Sequence, residues 1–126
     1  MRFSTLLLIA GLLALGFGLG FLLVPGLVLS AYGVVTNVGG LLMSRFFGAA
    51  LVQLGLVIVL VRKVRDPAAQ RAIALGSFLG SAAGLLVALV GQLSAIVNTL
   101  GWSSVLIYGL LLVGYAPFAF GKPAAT

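Results

Sequence analysis

The chain has 126 residues, of which 63% are hydrophobic and 6% charged, with a net charge of +6. A soluble domain carries about 25% charged residues, so this composition cannot cover a water-facing surface and excludes a soluble fold. Cysteine, histidine and glutamate are absent and Asp66 is the only carboxylate side chain, which excludes disulfides, thiolate metal sites and most acid–base chemistry.

The chain has room for one domain, residues 1–126. It opens with Arg2 and then runs from Leu6 to Val24 without a polar side chain. A signal-peptide core spans about 7–15 residues, whereas a bilayer-crossing helix needs about 20. The expectation is a retained first span over residues 3–24, ended by Pro25-Gly26. Residues 25–40 carry no charge and are too glycine-marked to cross. They predict a short interfacial helix around Leu27–Val34, with Tyr32 at head-group level. Thr36-Asn37 would then lie in water, and Gly39-Gly40 would turn the chain back.

The second span is expected over 41–61, with Arg45 one turn inside its outer end and Gln53 near its middle. Residues Arg62 to Arg71 then hold five of the eight charged side chains. So polar a segment must face water, and it divides the chain into two apolar halves. Short Lys/Arg-rich loops stay on the cytoplasmic side. Asp66-Pro67 predicts a helix start, with aspartate as N-cap and proline at the first position. The third helix begins there and crosses over residues 72–97. Asn98 to Gly101 makes an outer turn, Trp102 suits the aromatic belt, and Ser103 is placed to cap a fourth span over 104–120. Lys122 and the tail fall inside. Both termini are expected in the cytoplasm, with six of the seven basic residues on that side.

The packing signal is a run of small residues on the third helix: Ala72, Gly76, Gly80, Gly84 and Ala88. Small residues let membrane helices approach closely. The run predicts packing inside a four-helix transmembrane bundle, with a homodimer seam as the alternative. The first span carries a weaker version in Ala10, Ala14 and Gly18, and in Gly16 and Gly20.

Arg45 is the side chain of most interest, because an ionisable residue within a span is a functional-site hypothesis by default. It has two readings. At one turn of depth, about 6 Å, arginine can snorkel to lipid phosphates. Alternatively it meets an anionic group in a cleft, where depth counting adds Gln92, Asn98, Trp102 and Tyr108 as candidate ligand-binding residues. Gln53 and Gln92 also suit plain hydrogen bonds across helices, worth about 0.6–2 kcal/mol each.

Ion-coupled transport normally needs carboxylates or histidines within the membrane, and none are present. The small multidrug transporters have a similar plan but depend on a first-span glutamate that is absent here. Fluoride channels have pore motifs that do not occur in this chain. No metal or cofactor is expected. Haem lacks a histidine ligand, and a quinone, which needs only aromatic and hydrogen-bonding contacts, stays open as a ligand.

Pro25-Gly26 with Tyr32-Gly33, Arg45 to Ala49 opening the second span, the charged turn at 62–71 and Asn98 to Trp102 together resemble the small four-span bacterial membrane proteins of the DoxX-like type. The resemblance implies an all-α four-span protein of the bacterial cytoplasmic membrane. It also implies a partner role beside quinone-linked respiratory complexes, and no catalytic residue carries over. The functional expectation is a non-enzymatic accessory or structural subunit. The alternative is a carrier for a lipid-like or quinone-like ligand near Arg45. Expected partners are membrane lipids, other membrane subunits or a second copy, and no nucleic acid.

Overall fold

The computed structural model describes residues 1–121 and contains no strand among them. The elements are α1 (Phe3–Leu23), α2 (Pro25–Ala31), α3 (Val38–Leu60), α4 (Pro67–Leu93), a 3-10 turn at Thr99–Gly101, and α5 (Trp102–Phe120). Four of them are long and apolar enough to cross a membrane. The fold class is the expected one: all-α, with a short helix after the first span. Lys122 and the tail lie outside the described residues.

Helix boundaries follow from local chemistry. Val24 precedes a proline, which disfavours the helical region for it, and its backbone leaves the helix at φ −134° and ψ 57°. Pro25 then sits in the first turn of α2, so one proline both ends α1 and starts α2. The short helix thus covers Pro25–Ala31 rather than Leu27–Val34. It closes with a Schellman pattern, in which Gly33 N–H donates to Ser30 O and Val34 N–H to Leu29 O. Gly33 takes φ 73°, which glycine adopts without steric cost.

Gly39 and Gly40 do not make the turn back. Asn37 accepts from Gly40 N–H at 2.8 Å, so α3 starts at Val38 with both glycines in its first turn. An asparagine N-cap satisfies an orphan donor, and here it outweighs the poor helix propensity of two glycines. At the other end of the charged turn, Asp66 accepts from Ala69 N–H at 3.2 Å, with Pro67 beginning α4. That start is the expected one.

α4 ends at Leu93, four residues short of the expected Val97. Ala95 occupies the left-handed region at φ 57°, donating to Gln92 O, while Ile96 N–H donates to Gly91 O. This is a second Schellman pattern, with alanine where glycine is usual. Apolar periodicity cannot reveal such a stop, because Ser94 to Val97 reads as continuing helix.

The described residues divide into two compact units, one of residues 7–62 and one of residues 1–6 with 63–121. In the first, α1 and α3 meet backbone to backbone. A Cβ added at Gly48 would lie 2.5 Å from Leu22 N and 2.8 Å from Gly18 O. One at Gly55 would lie 2.8 Å from Gly11 O, and one at Gly18 would lie 2.8 Å from Val52 N. Gly11 therefore faces Gly55 and Gly18 faces Gly48, each pair of glycines spaced seven residues along its helix. Phe21 and Phe47 meet edge-on at 5.1 Å beside this seam. Gly16 takes no part, with nothing within 4 Å of its Cβ position.

In the second unit α4 lies along α5, and the buried face of α4 carries Gln70, Ala74 and Ser81. The small-residue run departs from that face. Gly76 and Gly80 have nothing within 4 Å of their Cβ positions, while Gly84 lies under the Tyr108 ring. The reason is geometric. A four-residue repeat advances about 40° per step around a helix of 3.6 residues per turn. From Ala72 to Ala88 the run rotates nearly halfway round. Ala72 is exposed and Ala88 half-buried, so within this unit the run meets the packed side at Gly84 and Ala88 alone.

These contacts predict opposite outcomes for glycine substitutions. Gly48→Ala forces a methyl into the α1 backbone and should cost about 1–3 kcal/mol, as overpacking does. Gly76→Ala meets open space and should be neutral or gain about 0.5–1 kcal/mol of helix propensity. Melting curves in a single detergent check both; equal losses would contradict the placement of the seam.

Candidate functional site

The corner between α4 and α5 is where sequence reasoning placed most of its polar candidates. It is built from the end of α4. The Schellman turn at Ala95 reverses the chain, and Asn98 then caps the 3-10 turn by accepting from Leu100 N–H at 3.0 Å. Gln92 reaches across this loop and donates from Nε2 to Asn98 O at 3.2 Å. Gly101 is buried directly beneath. A Cβ there would strike Gln92 Oε1 and the Val97 side chain, so a residue without a side chain is required.

Gln92 and Asn98 are thus brought together, and Trp102 follows as the half-exposed first residue of α5. Tyr108 lies about two turns further along, its ring over Gly84 with Cδ1 2.6 Å from the position of an added Cβ. Ser103 is not the cap of α5, which starts at Trp102 after Gly101 with no side-chain cap; its Oγ donates to Leu100 O at 2.7 Å. Gln92 bonds within its own loop rather than across helices. Gln53 is exposed on α3.

Arg45 belongs to the other compact unit. It is exposed and makes no hydrogen bond or ion pair among the described residues. Because α3 starts at Val38, Arg45 stands seven residues into the helix, about 10 Å along the axis. That is two turns rather than one. Helix side chains lean toward the N-terminus, so the guanidinium is directed toward the Asn37 end.

Among the described residues, three buried side-chain polar atoms have no hydrogen-bond partner: Gln70 Oε1, Gln92 Oε1 and the Tyr115 hydroxyl. Both glutamines belong to α4. Gln70, Ser77, Ser81 and Gln92 fall within about 60° of one another around this helix, so its uncharged polar side chains form one line along the side packed on α5. Tyr115 stands on α5 at 2% exposure, its hydroxyl near Ser77 but outside hydrogen-bonding geometry. Sequence reasoning missed this line. The signal was present as the spacing 70, 77, 81 and 92, obscured by the more conspicuous glycines.

At the opposite end of the same unit, Gln70 Nε2 donates to Val64 O at 2.9 Å. Arg71 donates from one guanidinium nitrogen to Ala119 O at 3.5 Å and from another to Gly121 O. It thereby supplies a cation and donors to the C-terminus of α5, where carbonyls lack helical partners. Arg62 does the same for α3, donating to Val59 O at 2.6 Å. Two of the basic residues in the charged turn are therefore helix-terminating groups.

No group of three or more histidine, cysteine or acidic side chains that could hold a metal occurs among the described residues. No family model, curated protein or solved structure matches this chain.

A buried hydroxyl without a partner loses its bond to water and gains none in return, at a cost of about 1–3 kcal/mol. Tyr115→Phe removes the hydroxyl and keeps the ring, so it should raise the melting temperature in detergent. A clear fall would show that the hydroxyl is bonded in the membrane, for example through a buried water to Ser77.

Proposed function

We propose that this chain is a small non-enzymatic protein of the bacterial cytoplasmic membrane, an accessory or structural subunit of a larger membrane assembly. The observation that carries this reading is the seam of residues 7–62. There α1 and α3 touch through Gly11, Gly18, Gly48 and Gly55, leaving no space for a ligand between them. Helices joined this way form a close pair, and α3 keeps large exposed apolar side chains, among them Leu42, Phe46, Leu54 and Val57, for lipid or neighbouring subunits. The composition supports the same reading, since the sole carboxylate side chain, Asp66, is engaged as the cap of α4.

The charge pattern supports an orientation with both termini and the 62–71 turn in the cytoplasm. The bacterial origin and the partner role beside a redox complex, with quinone chemistry residing in the partner, rest on the resemblance of short motifs to DoxX-like proteins alone. Native mass spectrometry of the chain, extracted in gentle detergent from membranes that express it natively, tests the proposal. A stoichiometric assembly with other membrane subunits is the expected result. A lone chain, or one carrying a small molecule alone, would overturn the subunit reading.

A second reading has its own observation. Arg45 is exposed, two turns into α3 and bonded to nothing among the described residues. In this reading it holds the anionic part of a lipid-like or quinone-like ligand. Lysine snorkels as arginine does but lacks the planar fork that grips an acid in two places. If Arg45 binds such a ligand, Arg45→Lys should weaken retention and Arg45→Leu abolish it, with melting temperature preserved. Equal retention by wild type and both variants, measured by mass spectrometry, would leave Arg45 as an interface anchor.

A further inference from the structure

The loop joining α3 to α4 is six residues long, from Val61 to Asp66. It connects two helices of membrane-crossing length. A loop this short reaches out and back no further than about 10 Å at 3.3–3.6 Å per residue. Its charges therefore stay within roughly one Debye length of the lipid head groups, about 8 Å at physiological salt.

The charged groups around this loop differ in what they do. Arg62 is occupied at Val59 O and Arg71 at Ala119 O and Gly121 O. The Asp66 carboxylate accepts from Ala69 N–H, so its negative charge is directed to the positive end of the 27-residue α4. Lys63 and Arg65 remain. Both are exposed, and neither has a hydrogen bond or ion pair among the described residues. Half-buried Val64 lies between them, its carbonyl held by Gln70 Nε2 at 2.9 Å. Gln70 is itself buried, at 9% exposure. The two cations thus flank a backbone position fixed to the helix behind it.

We propose that this loop is a docking surface for anionic lipid, with Lys63 and Arg65 engaging the head-group phosphate. The other basic residues of the turn terminate helices, and the preference for acidic lipid belongs to this pair. The surface is separate from Arg45, and the proposal does not depend on either reading of function.

The test uses the full chain, purified in mild detergent and offered equal amounts of phosphatidylglycerol and phosphatidylcholine, with retained lipid counted by native mass spectrometry. Wild type should enrich phosphatidylglycerol. At about fivefold for each cation near the membrane surface, Lys63→Gln with Arg65→Gln should reduce that enrichment about thirtyfold. The melting temperature of this double variant should be unchanged, since neither side chain is bonded within the protein. Arg71→Gln should lower the melting temperature and leave the enrichment in place. The proposal is overturned if wild type shows no enrichment, if the double variant keeps it, or if Arg45→Gln removes it instead. It is also overturned if inorganic phosphate strips the lipid where chloride of equal ionic strength does not, because the loop would then be a site for free anions.

Discussion

Two helices in hydrocarbon gain nothing by hiding leucine from lipid, since lipid is as apolar as leucine. Association depends on how closely atoms can approach, and in residues 7–62 that approach is set by backbone. Gly18 and Gly48 put the peptide planes of α1 and α3 in direct contact, and Gly11 and Gly55 repeat the contact two turns away. Dispersion falls off within an ångström of optimal separation, so the pair depends on four positions that hold no side chain. The α4–α5 pair is built differently. It places one aromatic ring over one glycine, Tyr108 on Gly84, and lines the rest of its interface with small and polar side chains. Edge-on packing of Phe78 on Phe120 at 4.9 Å closes the end near the charged turn.

The second demand is that backbone groups at helix ends find partners, because the membrane interior offers none. Donors at the starts of α3, α4 and the 3-10 turn are met by Asn37, Asp66 and Asn98. Acceptors at the ends of α2 and α4 are met by backbone N–H groups of Schellman turns, and those of α3 and α5 by Arg62 and Arg71. The charged turn is thus more than a topological marker. It supplies the donors that two long helices lack at their ends, and it leaves Lys63 and Arg65 exposed.

Much of this was readable from the chain. Apolar run lengths located all four long helices, and Asp66-Pro67 marked the start of α4 because cap and proline are local signals that need no tertiary context. Packing was less legible. A glycine repeat every four residues on α4 drew attention, yet it rotates away from the packed side, while the true spacing on α1 and α3 is seven. The signal lay in Gly11 and Gly18 matched by Gly48 and Gly55. Reading it required knowing which helices pair, and that is not a local property. The corner at Gln92 was half visible: its polar residues were identified and two of them meet. Its shape turns on Ala95 at positive φ, a conformation that alanine does not advertise. Arg45 was visible as a charge out of place, and it stands one turn further into α3 than expected because Asn37 starts the helix at Val38.

The seven-residue spacing also acts as a vernier between α1 and α3. Sliding α3 by one heptad toward its own N-terminus would set Gly18 opposite Gly55 and lose the other glycine contact. The same slide would carry Arg62 to the level of Gly11, about 10 Å deeper, where a guanidinium is costly to hold. Sliding the other way would set Gly11 opposite Gly48 and draw Asn37 down to the level of Leu22, taking the polar cap of α3 into hydrocarbon. Each neighbouring register keeps one contact of two and moves a polar terminus into lipid. The glycines decide how near the helices come, and the polar ends decide at what height, so a seam built on four glycines still has one alignment.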